Sequence, residues 1–190
     1  MTGVKPISVA TARGWVETWR ETFRRVPTSV CLTLMEIESS FRPDAHAVPS
    51  AEALARGVHP AGAWGLLQLL QPTAADMVRK LTRFPGLPRI ARETIDMWDP
   101  RNPACLAAPS LGSLLGVVYL DHLAERFGPG LDQLAAAYHN GPGFLRDFLA
   151  EGKRIPEDMP PKGRAYILRA RRVWPKYQAC DDTSGPPAVA

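Results

Sequence analysis

Apolar residues along this chain recur at helical spacing, and period-two alternation is scarce. Trp15, Trp19 and Phe23 stand at i, i+4 and i+8, with Arg13, Arg20 and Arg24 on other faces, which predicts an N-terminal amphipathic helix. A membrane-surface helix would carry a similar stripe, but the interspersed Glu17 and Glu21 favour packing on a core. From Pro27-Thr28-Ser29 to about Ser40, residues Val30, Cys31, Leu32, Leu34, Met35 and Ile37 leave the next helix apolar almost all round, which predicts burial. Residues 41–64 read as a long loop with a helical turn at Ala51–Arg56, and a short helix follows from Thr73 to about Leu81. The Pro-rich stretch from Phe84 to Pro109 reads as largely irregular. Leu111, Leu114, Leu115, Val118 and His122 then predict a core helix, stopped by Gly128-Pro129-Gly130. Leu131, Leu134, Ala135 and Tyr138 share the next apolar face, ended by Gly141-Pro142-Gly143, and Phe144, Leu145 and Phe148 continue in a short helix. The last helix turns Tyr166, Ile167, Ala170, Val173, Trp174 and Tyr177 inward, with Arg164, Arg169, Arg171, Arg172 and Lys176 mostly outward.

The pattern predicts an all-α, single compact domain. Residues 1–26 are expected to form a helical extension packed on a domain of residues 27–178, and residues 179–190 a flexible tail. The longest nearly apolar stretch, Leu111 to Leu120, is about half of the ~20 residues that span a bilayer, so no transmembrane segment is expected. Met1 to Val30 carries charges throughout and lacks an apolar core, so no cleaved signal peptide is expected either. Cys31, Cys105 and Cys180 are odd in number and far apart, which reads as three free thiols with Cys31 in the core. The four histidines form no HExxH pair; neither a metal site nor a cofactor is expected. The net charge of +4 favours polyanionic partners, among them nucleic acid, acidic lipid and anionic cell-wall polymer, without choosing between them.

Two carboxylates stand in the buried helix. Glu36 and Glu38 point about 200° apart at about 100° per residue, so they cannot act as a pair. Glu38 lies near the helix C-terminus in apolar company, and both the dipole and burial raise its proton affinity. That suits a general acid; a salt-bridged glutamate at a helix end is the other reading of the same position.

Several segments carry a family resemblance. Glu38-Ser39-Ser40-Phe41-Arg42-Pro43-Asp44-Ala45 resembles the Glu-Ser-x-Phe-x-Pro-x-Ala segment of the soluble lytic transglycosylases, lysozyme-like enzymes of the bacterial cell wall. Gly62-Ala63-Trp64-Gly65-Leu66-Leu67-Gln68-Leu69-Leu70-Gln71-Pro72-Thr73-Ala74 is similar to their Gly-Ala-x-Gly-Leu-Met-Gln-Leu-Met-Pro-x-Thr-Ala motif. Asp99-Pro100-Arg101-Asn102, Tyr119-Leu120, Ala136-Ala137-Tyr138-His139-Asn140-Gly141-Pro142-Gly143 and Arg164-Ala165-Tyr166-Ile167 resemble the later motifs in order. The chain departs from the pattern at His59 in place of Ser, Leu67 in place of Met and His139 in place of Asn, and its stretch between Ala45 and Gly62 is longer.

The resemblance implies a lysozyme-like fold and cleavage of the β-1,4 bond between N-acetylmuramic acid and N-acetylglucosamine with formation of 1,6-anhydromuramic acid. It implies Glu38 as acid and then base, no cofactor, and peptidoglycan glycan strands as partner. Gln68, Tyr138, His139 and Tyr166 fall on substrate-binding positions. Tyr138 is expected to reach Glu38 or the N-acetyl group with its hydroxyl, and His139 to contact substrate or tune Glu38. Trp64 and Trp98 are candidate sugar platforms, though core packing is the favoured reading for both. A hydrolytic muramidase like the goose-type lysozymes and an inactive wall-binding or assembly module are the competing readings. Nucleic-acid binding rests on charge alone. A wall enzyme without a leader would be delivered by a phage virion, a lysis system or a secretion system.

Overall fold

This computed structural model describes residues 4–55, 57 and 59–181. Its axis is the helix α6 (Pro109–Phe127), buried along almost all of residues 111–124. Proline at its first position supplies a preset φ where no backbone donor is needed. Against α6 lie α1 (Val9–Arg20), α4 (Gln71–Thr82), α5 (Arg89–Ile95) and α7 (Leu131–Asn140). Ser8 caps α1 by accepting from the Thr11 amide, and Trp19 buries its ring while its indole N–H donates to Ser113 Oγ at 2.9 Å. The expected Trp15, Trp19 and Phe23 stripe is split, because α1 ends at Arg20 and Phe23 reaches the core from the following turn.

α2 (Thr28–Ser39) is buried on nearly every side, as its composition predicts, between α1 and α9 (Pro161–Val173). α8 (Pro142–Ala150) packs on α7. Between α2 and α4 the chain makes three two-residue strands, β1 (His46–Ala47), β2 (Ala63–Trp64) and β3 (Leu69–Leu70), in one antiparallel sheet of that order. The short helix α3 (Ala51–Ala55) lies between β1 and β2; Arg56, where the expected turn ended, lies outside the described residues.

Two expectations are corrected. The Pro-rich stretch is not irregular: it contains α5 and a 3-10 turn at Pro103–Ala107, because Leu87, Ala91 and Ile95 bury one side at helical spacing. Residues 179–181 continue the ordered chain, with a 3-10 turn at Gln178–Cys180 and Asp181 accepting from the Ser29 amide at 2.9 Å. The rest of the expected tail, 182–190, lies outside the described residues. Among the described residues no helix is long and apolar enough to cross a membrane, and no group of three His, Cys, Asp or Glu side chains could hold a metal ion. Cys31 is buried, and Cys105 and Cys180 are half-buried.

Candidate active site

The last turn of α2 carries Glu38 into a half-buried position, and five hydrogen bonds fix what surrounds it. Ser39, buried on the next position, donates to Leu66 O at 2.8 Å and to Met35 O at 3.1 Å, tying the helix end to the turn at residues 65–68. That turn is possible because Gly65 takes φ +80°, a value costly for any residue with a Cβ. The Gly65 amide donates to Ala45 O at 2.9 Å. Gln68, itself at φ +47°, donates its side-chain amide to Ala45 O and Gly65 O at 2.8 and 2.9 Å. The loop after α2 and the turn before α4 are thereby one unit.

From the other side, α7 and α9 bring two phenols. Gly163 lets α9 approach α7, since a Cβ there would lie 2.9 Å from the Asn140 amide. Tyr166 donates its hydroxyl to Glu38 Oε1. Tyr138 donates to the Leu67 carbonyl, so the expected contact between the Tyr138 hydroxyl and Glu38 is not made. The reason is register: on α7, Tyr138 projects under the 65–68 turn, whose carbonyl needs a donor, and α9 alone reaches the carboxylate. The His139 ring lies over Tyr166, with centroids 4.4 Å apart and planes 19° off parallel, and its residue is exposed.

Burial raises the proton affinity of Glu38, against the opposing pull of the Tyr166 hydroxyl and the Arg169 guanidinium, and the net direction is upward. Burial acts on Glu36 as well, yet the Lys176 ammonium and the Tyr177 hydroxyl, each 2.6 Å away, outweigh it and hold that carboxyl below its ordinary value. One carboxylate is kept as an anion and its neighbour two residues on is biased to hold a proton. Tyr138 and Tyr166 are both pushed well above the ordinary phenol value, by burial first and by the Glu38 charge second, so both remain donors. His139 is shifted down by burial and by Lys162. Among the described residues nothing donates to Glu38 Oε2, which leaves that oxygen as the one to carry a transferable proton.

The model of the family described as Transglycosylase SLT domain matches residues 18–157 of this chain. The chain belongs to that family. Three solved structures share the helical fold of this SLT domain. Lytic transglycosylase Slt of Pseudomonas aeruginosa, in an inactive glutamate-to-glutamine mutant, is 20% identical with a TM-score of 0.62, covering 92% of this chain and 25% of that one. The 70-kDa soluble lytic transglycosylase in complex with bulgecin A is 21% identical with a TM-score of 0.63, over 93% and 25%. The 70-kDa enzyme of Escherichia coli is 22% identical with a TM-score of 0.59, over 85% and 24%. The SLT domain thus spans about a quarter of the length of these chains. No curated protein matches it in sequence.

Within the SLT domain, the five residues singled out from sequence converge on one place but not in one role. Glu38 and Tyr166 touch; His139 backs Tyr166; Tyr138 and Gln68 brace the 65–68 turn. Trp64 is half-buried, stacked on His46 at 3.7 Å with its indole N–H donated to Ala61 O, and Trp98 is half-buried against the core. His59 accepts from the Ala61 amide at 3.2 Å, a turn-local contact. Sequence reasoning passed over Ser39 as a stitch and Arg169 as the cation nearest in influence to Glu38. The spacing of Tyr166 and Arg169, three apart on one helix, was the available signal.

Tyr166→Phe is expected to lower turnover about tenfold, the value of one hydrogen bond to a charged group, while the protein stays folded. Because the lost hydroxyl favours the carboxylate, Glu38 will hold its proton to higher pH and the alkaline limb of activity will move upward. Rate–pH profiles of both proteins check this; an unmoved limb with full turnover would reduce Tyr166 to packing.

Proposed function

We propose that this SLT domain is a peptidoglycan lytic transglycosylase in which Glu38 serves first as acid and then as base. The observation that supports this most is the setting of Glu38: raised proton affinity, one oxygen engaged by Tyr166, the other without a donor, and no second carboxylate close enough to perturb it among the described residues. A glycosidase that used two carboxylates would place them about 5–10 Å apart around the scissile bond. Here the only carboxylate within two residues is turned to Lys176 and Tyr177. A single acid suffices if the substrate supplies the second group.

In this reading the protonated Oε2 of Glu38 gives its proton to the glycosidic oxygen as the bond from the anomeric carbon of N-acetylmuramic acid breaks. The sugar's own N-acetyl oxygen meets the positive charge at that carbon. Glu38, now an anion held in place by Tyr166, takes the proton from the C6 hydroxyl, whose oxygen closes on C1. The Glu38 proton is restored, no water is consumed, and the product is a 1,6-anhydro sugar. Gln68 and Tyr138 act through the 65–68 turn, and His139 presents an exposed ring edge beside the acid, positioned to meet substrate. The inactivity of the glutamate-to-glutamine mutant of the Pseudomonas aeruginosa relative is consistent with a single essential carboxyl group.

The deciding experiment is mass analysis of fragments released from purified wall. We expect muropeptides ending in 1,6-anhydromuramic acid, each lighter by one water than its hydrolysis counterpart. Exclusively reducing-end muramic acid would reassign the domain as a muramidase, and no release at all would leave it as a wall-binding module.

A further inference from the structure

The backbone leaves α2 through two consecutive left-handed residues that are not glycine, Ser40 at φ +53° and Phe41 at φ +59°. One left-handed residue commonly closes a helix. A second one, bearing an aromatic side chain, is an outlier that persists only where its surroundings impose it. Among the described residues Gln68 is the other non-glycine with positive φ, so all three stand in the loop after Glu38 or in the turn stitched to that loop. Local bonds close the helix end: the Ser40 amide donates to Glu36 O at 3.0 Å and the Arg42 amide to Ser39 O at 3.1 Å. Neither engages the Phe41 carbonyl.

That carbonyl is met by a segment from the start of the chain. The Ile7 amide donates to Phe41 O at 3.0 Å, and the Val4 amide donates to Asp44 Oδ2 at 2.8 Å. Val4 opposite residue 44 and Ile7 opposite residue 41 is an antiparallel register, with the Asp44 carboxylate standing where a backbone carbonyl would. Pro6 between them has no donor to satisfy and keeps Lys5 extended. Asp44 Oδ1 has no hydrogen-bond partner among the described residues, and Arg42 Nε is 3.7 Å from it, so the Val4 amide is what anchors this side chain. At its far end the segment runs straight into Ser8, the cap of α1, and α1 packs on α2 and α6. Across the loop, Ala45 O accepts from Gly65 and Gln68 of the 65–68 turn. The loop that follows Glu38 is therefore clamped on two sides, by that turn and by residues 4–7. The family match begins at residue 18, so the second clamp lies outside it.

We propose that residues 4–7 are a positioning element for the Glu38 carboxyl group, holding the strained Ser40–Phe41 exit of α2 through the Ile7 and Val4 amides, with Asp44 as the positioning residue that receives the latter. Its consequence for turnover rests on the proposed catalytic role of Glu38. Without the clamp the exit relaxes out of its left-handed conformation, and water reaches the last turn of α2.

The test uses the full chain and compares the wild type with Val4→Pro, Asp44→Ala, their double variant, Asp44→Asn and Ile7→Pro. Val4→Pro and Ile7→Pro each delete one donor and leave every charge in place. Amide hydrogen exchange over residues 40–45 is expected to speed up about tenfold in Val4→Pro and Asp44→Ala, with the amides of α6 unchanged. The Glu38 carboxyl, titrated by carbon NMR, is expected to release its proton at lower pH in the two proline variants, because water removes the burial that raises it. Tyr166 and Arg169 from α9 and Tyr138 from α7, which act on that carboxyl, are the same in every protein. On glycan strands kcat should fall about tenfold with KM unchanged, well short of the roughly 10²-fold that an ångström of misplacement costs. Asp44→Asn, whose amide oxygen still accepts from Val4, should keep most of the wild-type rate, and the double variant should lose no more than either single one. If Ile7→Pro does not fold, the Val4 and Asp44 variants decide alone. Unchanged exchange and an unmoved Glu38 titration overturn the proposal, as do additive losses at Val4 and Asp44. Full kcat in every folded variant removes the clamp and leaves the catalytic reading standing. A shifted Glu38 titration in a protein that cuts no glycan supports the clamp and removes the catalytic reading.

Discussion

Glu38→Gln is expected to abolish glycan cleavage, with a loss of at least about 10²–10⁴-fold, while the protein folds. The amide keeps the size of the side chain and can still accept from Tyr166, but it has no proton to give and no charge with which to recover one. A second consequence follows from the titration. Burial outweighs Tyr166 and Arg169 in raising the Glu38 affinity for protons, so the unfolded chain releases this proton at lower pH than the folded one. The contribution of a raised carboxyl to stability is full below its unfolded value and is lost as pH rises through the folded value. The glutamine variant should therefore melt above the wild type at neutral pH, with the gap closing in acid. Glu36→Gln should behave in the opposite way. It leaves cleavage intact because its carboxylate faces Lys176 and Tyr177, and it lowers the melting temperature at neutral pH, where the lowered carboxyl stabilises the fold; that deficit fades as pH falls through its folded value. Thermal melts and cleavage rates of both variants across pH check the assignment. Equal losses of activity at the two positions, or cleavage surviving in the Glu38 variant, would remove Glu38 from the chemistry.

Gly65→Ala is expected to cost about 2–4 kcal/mol of stability and to reduce cleavage beyond what unfolding accounts for. At φ +80° a Cβ would sit 2.3 Å from the Leu106 carbonyl oxygen, a backbone atom of the 3-10 turn that cannot swing aside. Gly86→Ala separates the two components of this cost. Gly86 has φ +74° but nothing within 4 Å of its Cβ position, so only the left-handed conformation is penalised, by about 1–2 kcal/mol. If the 65–68 turn positions the acid's surroundings, Gly65→Ala must melt lower than Gly86→Ala and also lose turnover per folded molecule. Equal effects in both assays would show the turn to be structural only.

The helix bearing Glu38 was legible because its apolar residues leave no polar face, so a carboxylate on it had to be buried or specifically paired. α6 and the inward face of α9 were legible for the same reason. α5 was missed although Leu87, Ala91 and Ile95 stand at i, i+4 and i+8, because Pro85 and Pro88 draw the eye to irregular structure and the helix is only seven residues long. The three two-residue strands lie below any test of periodicity. Tyr138 and Tyr166 were both recognised, yet which of them meets Glu38 depends on how far α9 slides over α7. That depth is set by the close approach of Gly163 to Asn140, a contact no local pattern encodes. Family motifs give a residue's neighbourhood more reliably than its partner.

The ties between α2 and α9 with the turns that follow it also have a mechanical meaning. Trp174 and Asp181 grip Ser29 near the start of α2, Lys176 and Tyr177 grip Glu36, and Tyr166 grips Glu38 near its end. The two segments run past each other cross-braced along the whole length of α2, like the chords of a truss, and neither can bend or slide without breaking several rungs at once. The acid and its phenol therefore travel together as a stiff beam. It also means that a fragment trimmed at residue 157, where the family match ends, would keep the acid and discard the brace that aims it.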